Sequence, residues 1–303
     1  MTRRGGMLVA LLLCLGTPAS AYDPALAARL DALVRPYADD NRFSGAILVA
    51  RDGQVLFDQA YGMADVAAGI PNRPSTRFHV GTLSMQYTAV AILHLAETHK
   101  LALDNTADQF VPSAPVVTVQ ALLGVAPDAP DAATDYELLA RIAAAAMARP
   151  FADVEDSAAF GTVWMSGTGL DDGTLLSETR VAKGYLRDGE TLKPASADWN
   201  ALTGAASAYT TTRDELHWLD MFFGDTLVTA DTRRAMTAAP AGYGWRRGAP
   251  FGTDAWWAAG AAPGFSSFVL RRTGDGLTVI VLGNLDAAPA QALAGALIAA
   301  LDK

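Results

Sequence analysis

The stretch with the most chemical potential is Phe78–Val90, FHVGTLSMQYTAV. An aromatic and β-branched run enters a glycine, and a helical pattern then opens on Thr82-Leu83-Ser84-Met85. A small hydroxyl residue in the first turn of a largely buried helix has a pinned side chain and helix N–H groups beside it. That placement suits a nucleophile whose oxyanion is held by backbone donors. It equally suits a plain N-cap, a role for which threonine is favoured and which is far commoner. Ser84 lies two residues on, about 200° around a helix, so it is expected to point away from any site that Thr82 faces. His79, on the strand entering the turn, is the most interesting of the four histidines. His94, His99 and His217 sit at helical positions with no ligand-like spacing.

Metal and phosphate signals are weak. The acidic turns Asp104-Asn105-Thr106 and Asp171-Asp172-Gly173 offer too few oxygen ligands in register for calcium. Ser166-Gly167-Thr168-Gly169 lacks the preceding strand and following helix of a phosphate loop. No metal and no cofactor are expected.

The elements that must position these residues follow from periodicity. Tyr22–Tyr37 carries Leu26, Leu30, Leu33 and Val34 at helical spacing. Phe43–Ala50 and Val55–Ala60 are two β-rich runs around Asp52-Gly53, a strong hairpin signal. Ala89–His99 is an apolar helix, Thr118–Leu123 a short one, and Gly124–Asp135 a loop. Tyr136–Met147 is a helix stopped by Pro150, and Gly161–Gly204 is rich in turns. Thr212–Phe223 is a helix capped near Thr212. Trp256–Gly260, Ser266–Arg271 and Leu277–Leu282 are strands, with a turn at Thr273–Gly276, and Ala288–Leu301 is a terminal helix. Strands at both ends around a helical middle predict an α/β arrangement with a groove at the junction.

The chain has 303 residues, but Met1–Ala21 is not expected to join the fold. Arg3 and Arg4, the apolar run Met7–Leu15 and Ala19-Ser20-Ala21 read as a secretory signal, with Tyr22 as mature N-terminus. The run is too short to span a bilayer, which takes ~20 residues, so no transmembrane segment is expected in the mature chain. Cys14, the sole cysteine, follows Leu13 where a lipoprotein signal requires a small residue, which argues against a lipid anchor. The expected location is therefore periplasmic or secreted, and the exported core must hold without disulfides. Basic and acidic side chains number 23 and 32; losing Arg3 and Arg4 leaves 21 against 32, or −11. That balance, with no basic run in the sequence, argues against nucleic acid or anionic membrane as partner. The remaining length, about 280 residues, fits one large domain or two joined lobes. The 51% hydrophobic content overstates the core because much of it is alanine.

Eight stretches, in order, resemble the serine β-lactamase-related family of class C β-lactamases, D-alanyl-D-alanine peptidases and esterases. They are FSGAILVARDGQVLF, YGMAD, RFHVGTLS, QYTAVAILHLAE, YELLARI, YTTTRDEL, YGWR and PGFSSFVLRRTGDGLTVIVLGN. The resemblance covers most of the mature chain and implies a β-lactamase/transpeptidase-like fold, an antiparallel sheet built from both chain ends with flanking helices. The implied division is a sheet lobe (22–77 and 241–303) and an inserted helical lobe (78–240).

The family's chemistry rests on three motifs, and each is degraded here. Ser-x-x-Lys places an amine beside a seryl oxygen on one helix face; the matching positions hold Thr82 and Met85. Threonine adds a crowding methyl, and a thioether cannot take a proton at neutral pH. Tyr-x-Asn maps to Asp131-Ala132-Ala133, without phenol or amide, and a His-Thr-Ser-Gly turn is replaced by Val125-Ala126-Pro127-Asp128. Lys/His-x-Gly maps to Ala258-Ala259-Gly260, where only the glycine remains. Such groups act as a unit, and losing one can cost ~10⁴–10⁶ in turnover.

The family's two oxyanion donors are backbone N–H groups, at positions matching Thr82 and Ala261, and need no particular side chain. The expectation is a pseudoenzyme whose groove binds a carboxylate, a peptide or a protein, with Trp256 and Trp257 as apolar walls. The competing expectations are a rewired hydrolase using Thr82 with His79 or a water as base, and a purely structural exported domain with the groove filled.

Overall fold

The computed structural model describes residues 23–171, 173, 175, 180–189, 191–238, 241–286 and 288–303. The stretch read as a secretory signal, with Cys14 and the expected mature N-terminus Tyr22, and Asp172 lie outside the described residues.

Helix α1 (Pro24–Asp39) starts on Asp23, whose carboxylate accepts the Ala25 N–H, and proline fills its first position,. Strands β1 (Gly45–Arg51) and β2 (Gln54–Tyr61) form the expected hairpin. Short pieces follow: β3 (Met63–Asp65), β4 (Ile70–Pro71) and β5 (Phe78–His79). A 3-10 turn, Gly81–Ser84, leads into α2 (Met85–Glu97). Then come α3 (Val119–Leu123), α4 (Ala132–Met147), α5 (Phe151–Glu155) and β6 (Gly169–Leu170). Next are the hairpin β7 (Tyr185–Asp188) and β8 (Thr191–Pro194), β9 (Ala208–Thr210), α6 (Thr212–Phe223) and α7 (Ala230–Met236). The chain closes with β10 (Ala241–Gly242), β11 (Trp245–Gly248), β12 (Ala255–Ala262), β13 (Phe265–Arg272), β14 (Leu277–Gly283) and α8 (Ala290–Leu301).

The main sheet has seven strands in the order β10-β11-β12-β13-β14-β1-β2, every pair antiparallel. The N-terminal hairpin thus joins the C-terminal meander through β1 and β14, with Ile47 opposite Val281. Side chains alternate between the two faces. Ile47, Val49, Phe268, Val279 and Val281 pack under Leu30 and Val34 of α1 and Leu293 and Leu297 of α8. Ala46, Leu48, Val269, Ile280 and Leu282 turn to the opposite face, against a core that includes the buried residues of α2 and α6. Both faces of β14 are covered, and all seven of its residues are buried.

Several boundaries differ from the sequence-based expectation. Helix α2 begins four residues before Ala89, and α6 is capped by Thr211, whose hydroxyl accepts the Asp214 N–H. Helix α4 begins at Ala132, so Asp131-Ala132-Ala133 forms its start rather than a loop before it. The β7–β8 hairpin stands in the stretch read only as turns.

Candidate functional site

Two glycines bring the Thr82 turn onto the sheet. A Cβ on Gly260 would lie 1.9 Å from the Val80 carbonyl oxygen, and one on Gly81 2.4 Å from the Ala261 backbone. Gly81 also has φ +58°, a left-handed conformation that glycine adopts without strain,. The turn therefore packs backbone to backbone on β12. The single residue retained from the Lys/His-x-Gly pattern has a steric reason to be glycine.

Thr82, partly exposed, donates its hydroxyl to the Ala259 carbonyl oxygen at 3.3 Å. It does not act as an N-cap, since no helix N–H donates to a side chain at either start, Val80 or Ser84. Residues two apart on a strand present their N–H and C=O groups on the same edge. The Ala261 N–H therefore projects from the edge whose Ala259 carbonyl Thr82 reaches. Strand β11 pairs with β12 only as far as Trp257, leaving this edge unpaired by β11 beyond it.

That edge borders an open cleft of about 590 Å³. Thr82, Ala258, Gly260, Ala261 and Trp257 line it, with residues 288–292 at the start of α8 as another wall. The alanines have not filled the groove. Trp257 forms part of the wall, whereas Trp256 turns to the other face of β12, buried and covered by the Arg247 guanidinium 5.4 Å from its ring.

Sequence reasoning missed the two charged groups in this cleft. Arg246 of β11 pairs with Asp128 of the loop before α4, and its guanidinium lies 5.5 Å from the Trp257 ring centre. Both residues fall in stretches compared with the family motifs, but nothing local links positions so far apart in sequence.

The other predicted positions separate from the cleft. Met85 is 1% exposed and belongs to the hydrophobic core. Asp131 and Ala133 are exposed at the start of α4 and do not line the cleft. Ser84 is buried, donating to the Gly81 carbonyl at 2.7 Å and accepting the Ala208 N–H at 3.2 Å. These bonds fasten the turn to β9.

His79 is buried away from the cleft in an aromatic box. Its Nε2 lies 2.8 Å from Asp171 Oδ2, its ring stacks on Trp199 at 3.8 Å, and Phe265 meets it edge-on. Its Nδ1 has no partner among the described residues. Burial pushes the Asp171 carboxyl up, but hydrogen bonds from His79 and from the Gly173 and Leu175 N–H groups more than offset this and hold it below its ordinary range,. The imidazole is thereby engaged in the core and absent from the walls around Thr82.

The family model described as Beta-lactamase matches residues 30–303. Among curated proteins, Esterase EstB of Burkholderia gladioli is 37% identical over 109 residues, which is 33% of this chain and 28% of that protein. Penicillin-binding protein 4* of Bacillus subtilis is 28% identical over 104 residues, 34% of this chain and 23% of the relative. The matched stretches thus span well under a third of either relative's length. Among solved structures, the octameric penicillin-binding protein homologue from Pyrococcus abyssi superposes with a TM-score of 0.80 at 19% identity, covering 90% of this chain and 77% of that one.

Proposed function

The chain belongs to the Beta-lactamase family, and on that premise we propose that it is an exported, non-hydrolytic member whose cleft binds the carboxylate end of a cell-wall-type peptide. The observation that carries this reading is the Thr82 hydroxyl. It donates to a carbonyl, and the position where the family resemblance expects a lysine holds buried Met85. Acyl transfer needs a base to take the nucleophile's proton. A thioether offers none, and His79 is committed to Asp171.

Binding needs less. The Thr82 and Ala261 backbone N–H groups, the Arg246 guanidinium and the Trp257 wall together suit a carboxylate with a short apolar body. Asp128 is 71% exposed, so its pairing with Arg246 is worth at most about 1 kcal/mol, and a ligand carboxylate can displace it,. Export is supported by the Met1–Ala21 leader pattern, and the protein recovered from the periplasm is expected to begin at Tyr22.

The test pairs two measurements on the mature protein. Titration with N-acetyl-D-alanyl-D-alanine, followed by tryptophan fluorescence, is expected to saturate and to weaken about tenfold in Arg246→Gln. Intact-mass spectrometry after incubation with a β-lactam and a fluorophosphonate is expected to show no adduct. An adduct on Thr82 or Ser84 would restore the hydrolase reading. Absence of saturable binding would leave a structural domain.

A further inference from the structure

A second cleft, of about 610 Å³, shares no lining residue with the first. Its walls include Arg73, Arg77, Arg180 and Arg213, with Asp214 as the one acidic residue among the described lining residues. In a chain of net charge −9, this concentration of guanidinium groups runs against the balance of the whole.

The arginines are held by structure on three separate segments, Arg73 and Arg77 on one loop, Arg180 on another and Arg213 at the start of α6. Arg73 opens a tight turn in which its N–H donates to the Thr76 hydroxyl at 2.9 Å, and Thr212 of α6 donates to the Pro74 carbonyl at 3.5 Å. The Arg77 N–H donates to the Arg180 carbonyl at 2.9 Å, which sets those two side by side. Arg77 also lies 5.7 Å from the Tyr209 ring centre, and Arg213 pairs with Asp58 at 2.6 Å. Arg73 and Arg180 are exposed and enter no ion pair among the described residues. The Asp214 carboxylate is turned aside, accepting the Gly167 N–H at 2.7 Å and the Thr168 hydroxyl at 2.9 Å.

Guanidinium forks match phosphate oxygens in pairs, and a concave wall of one sign focuses the field on an anion. We propose that this cleft binds a phosphate-bearing ligand with two or more negative charges, held chiefly by Arg73 and Arg180. The inference is independent of what the Thr82 cleft does.

Calorimetric titration with inorganic pyrophosphate at low ionic strength tests it, alongside co-sedimentation with phosphatidylglycerol and phosphatidylcholine vesicles. Wild-type protein is expected to bind pyrophosphate, and Arg73→Gln/Arg180→Gln to bind at least about tenfold more weakly. Arg141→Gln, which removes an exposed charge on α4, is expected to bind like wild type. Both substituted arginines are exposed, so the variants should keep the wild-type circular dichroism spectrum. Co-sedimentation with phosphatidylglycerol alone, lost in the same double variant, would identify a lipid headgroup as the phosphate source. Pyrophosphate binding without co-sedimentation would identify a soluble one. The proposal is overturned if wild type binds neither, or if Arg141→Gln weakens binding as much as the double variant.

Discussion

Gly260 shows how one residue position carries the geometry of the cleft. With a methyl group 1.9 Å from the Val80 oxygen, Gly260→Ala must push the Thr82 turn off β12 or distort the strand. Overpacking of this kind costs ~1–3 kcal/mol, and more where backbone must move. Urea unfolding of Gly260→Ala is expected to show a loss in that range, together with loss of peptide binding. Arg246→Gln is expected to lose binding without that loss of stability. Its ion partner is exposed, so stability should change by under about 1 kcal/mol while binding falls. Comparing the two variants separates the cleft's framework from its ligand contacts.

Helix α2 places three consecutive polar residues, Gln86, Tyr87 and Thr88, in full burial. Gln86 Nε2 donates to Glu215 Oε1 at 3.1 Å, the Tyr87 hydroxyl donates to the other Glu215 oxygen, and Trp218 Nε1 donates to Gln86 at 3.0 Å. Thr88 lies 3.3 Å from Glu155, whose second carboxyl oxygen has no partner among the described residues. Burial raises both acids, Glu215 to about 7 against the hydrogen bonds of Tyr87 and Gln86, with nearby Asp214 adding to the rise. A raised acid is protonated in the folded chain at pH values where the unfolded chain has lost its proton. Its stabilising effect is thus whole below the unfolded value of 4.5 and declines as pH rises to about 7,. For Glu215 that decline is on the order of 3 kcal/mol. Urea midpoints measured from pH 4.5 to 7.5 should therefore fall less in Glu215→Gln than in wild type. Glu155→Gln/Glu215→Gln should flatten the profile further, because Glu155 has the same sign. An unchanged slope in the double variant would mean these carboxyls are not the groups that titrate.

At the scale of the molecule, the sheet depends on both ends of the chain. Helix α8 supplies Leu293, Leu297 and Ile298 to the face that α1 also covers. Removing residues 290–303 uncovers that face, and each fully buried Leu or Ile contributes about 1.5–3 kcal/mol. The truncated chain is expected to lose its cooperative thermal transition in circular dichroism and to elute as aggregate. No helix among the described residues is long and apolar enough to cross a membrane.

The sequence alone determined the fold class, because alternating strands around Asp52-Gly53, the apolar β14 run and the ordered family stretches are local signals. It also identified Thr82, Ala261 and Trp257 as positions that line one cleft. Tertiary structure decided the rest. His79 reads as a site residue until Trp199 and Asp171, distant in sequence, enclose it. Arg246 gains its place through Asp128, 118 positions earlier. The arginine cleft is drawn from three segments, none of which contains a basic run. Local periodicity records which face of an element is buried. Charges and rings meet only when separate elements converge, and that convergence leaves no pattern within any one of them.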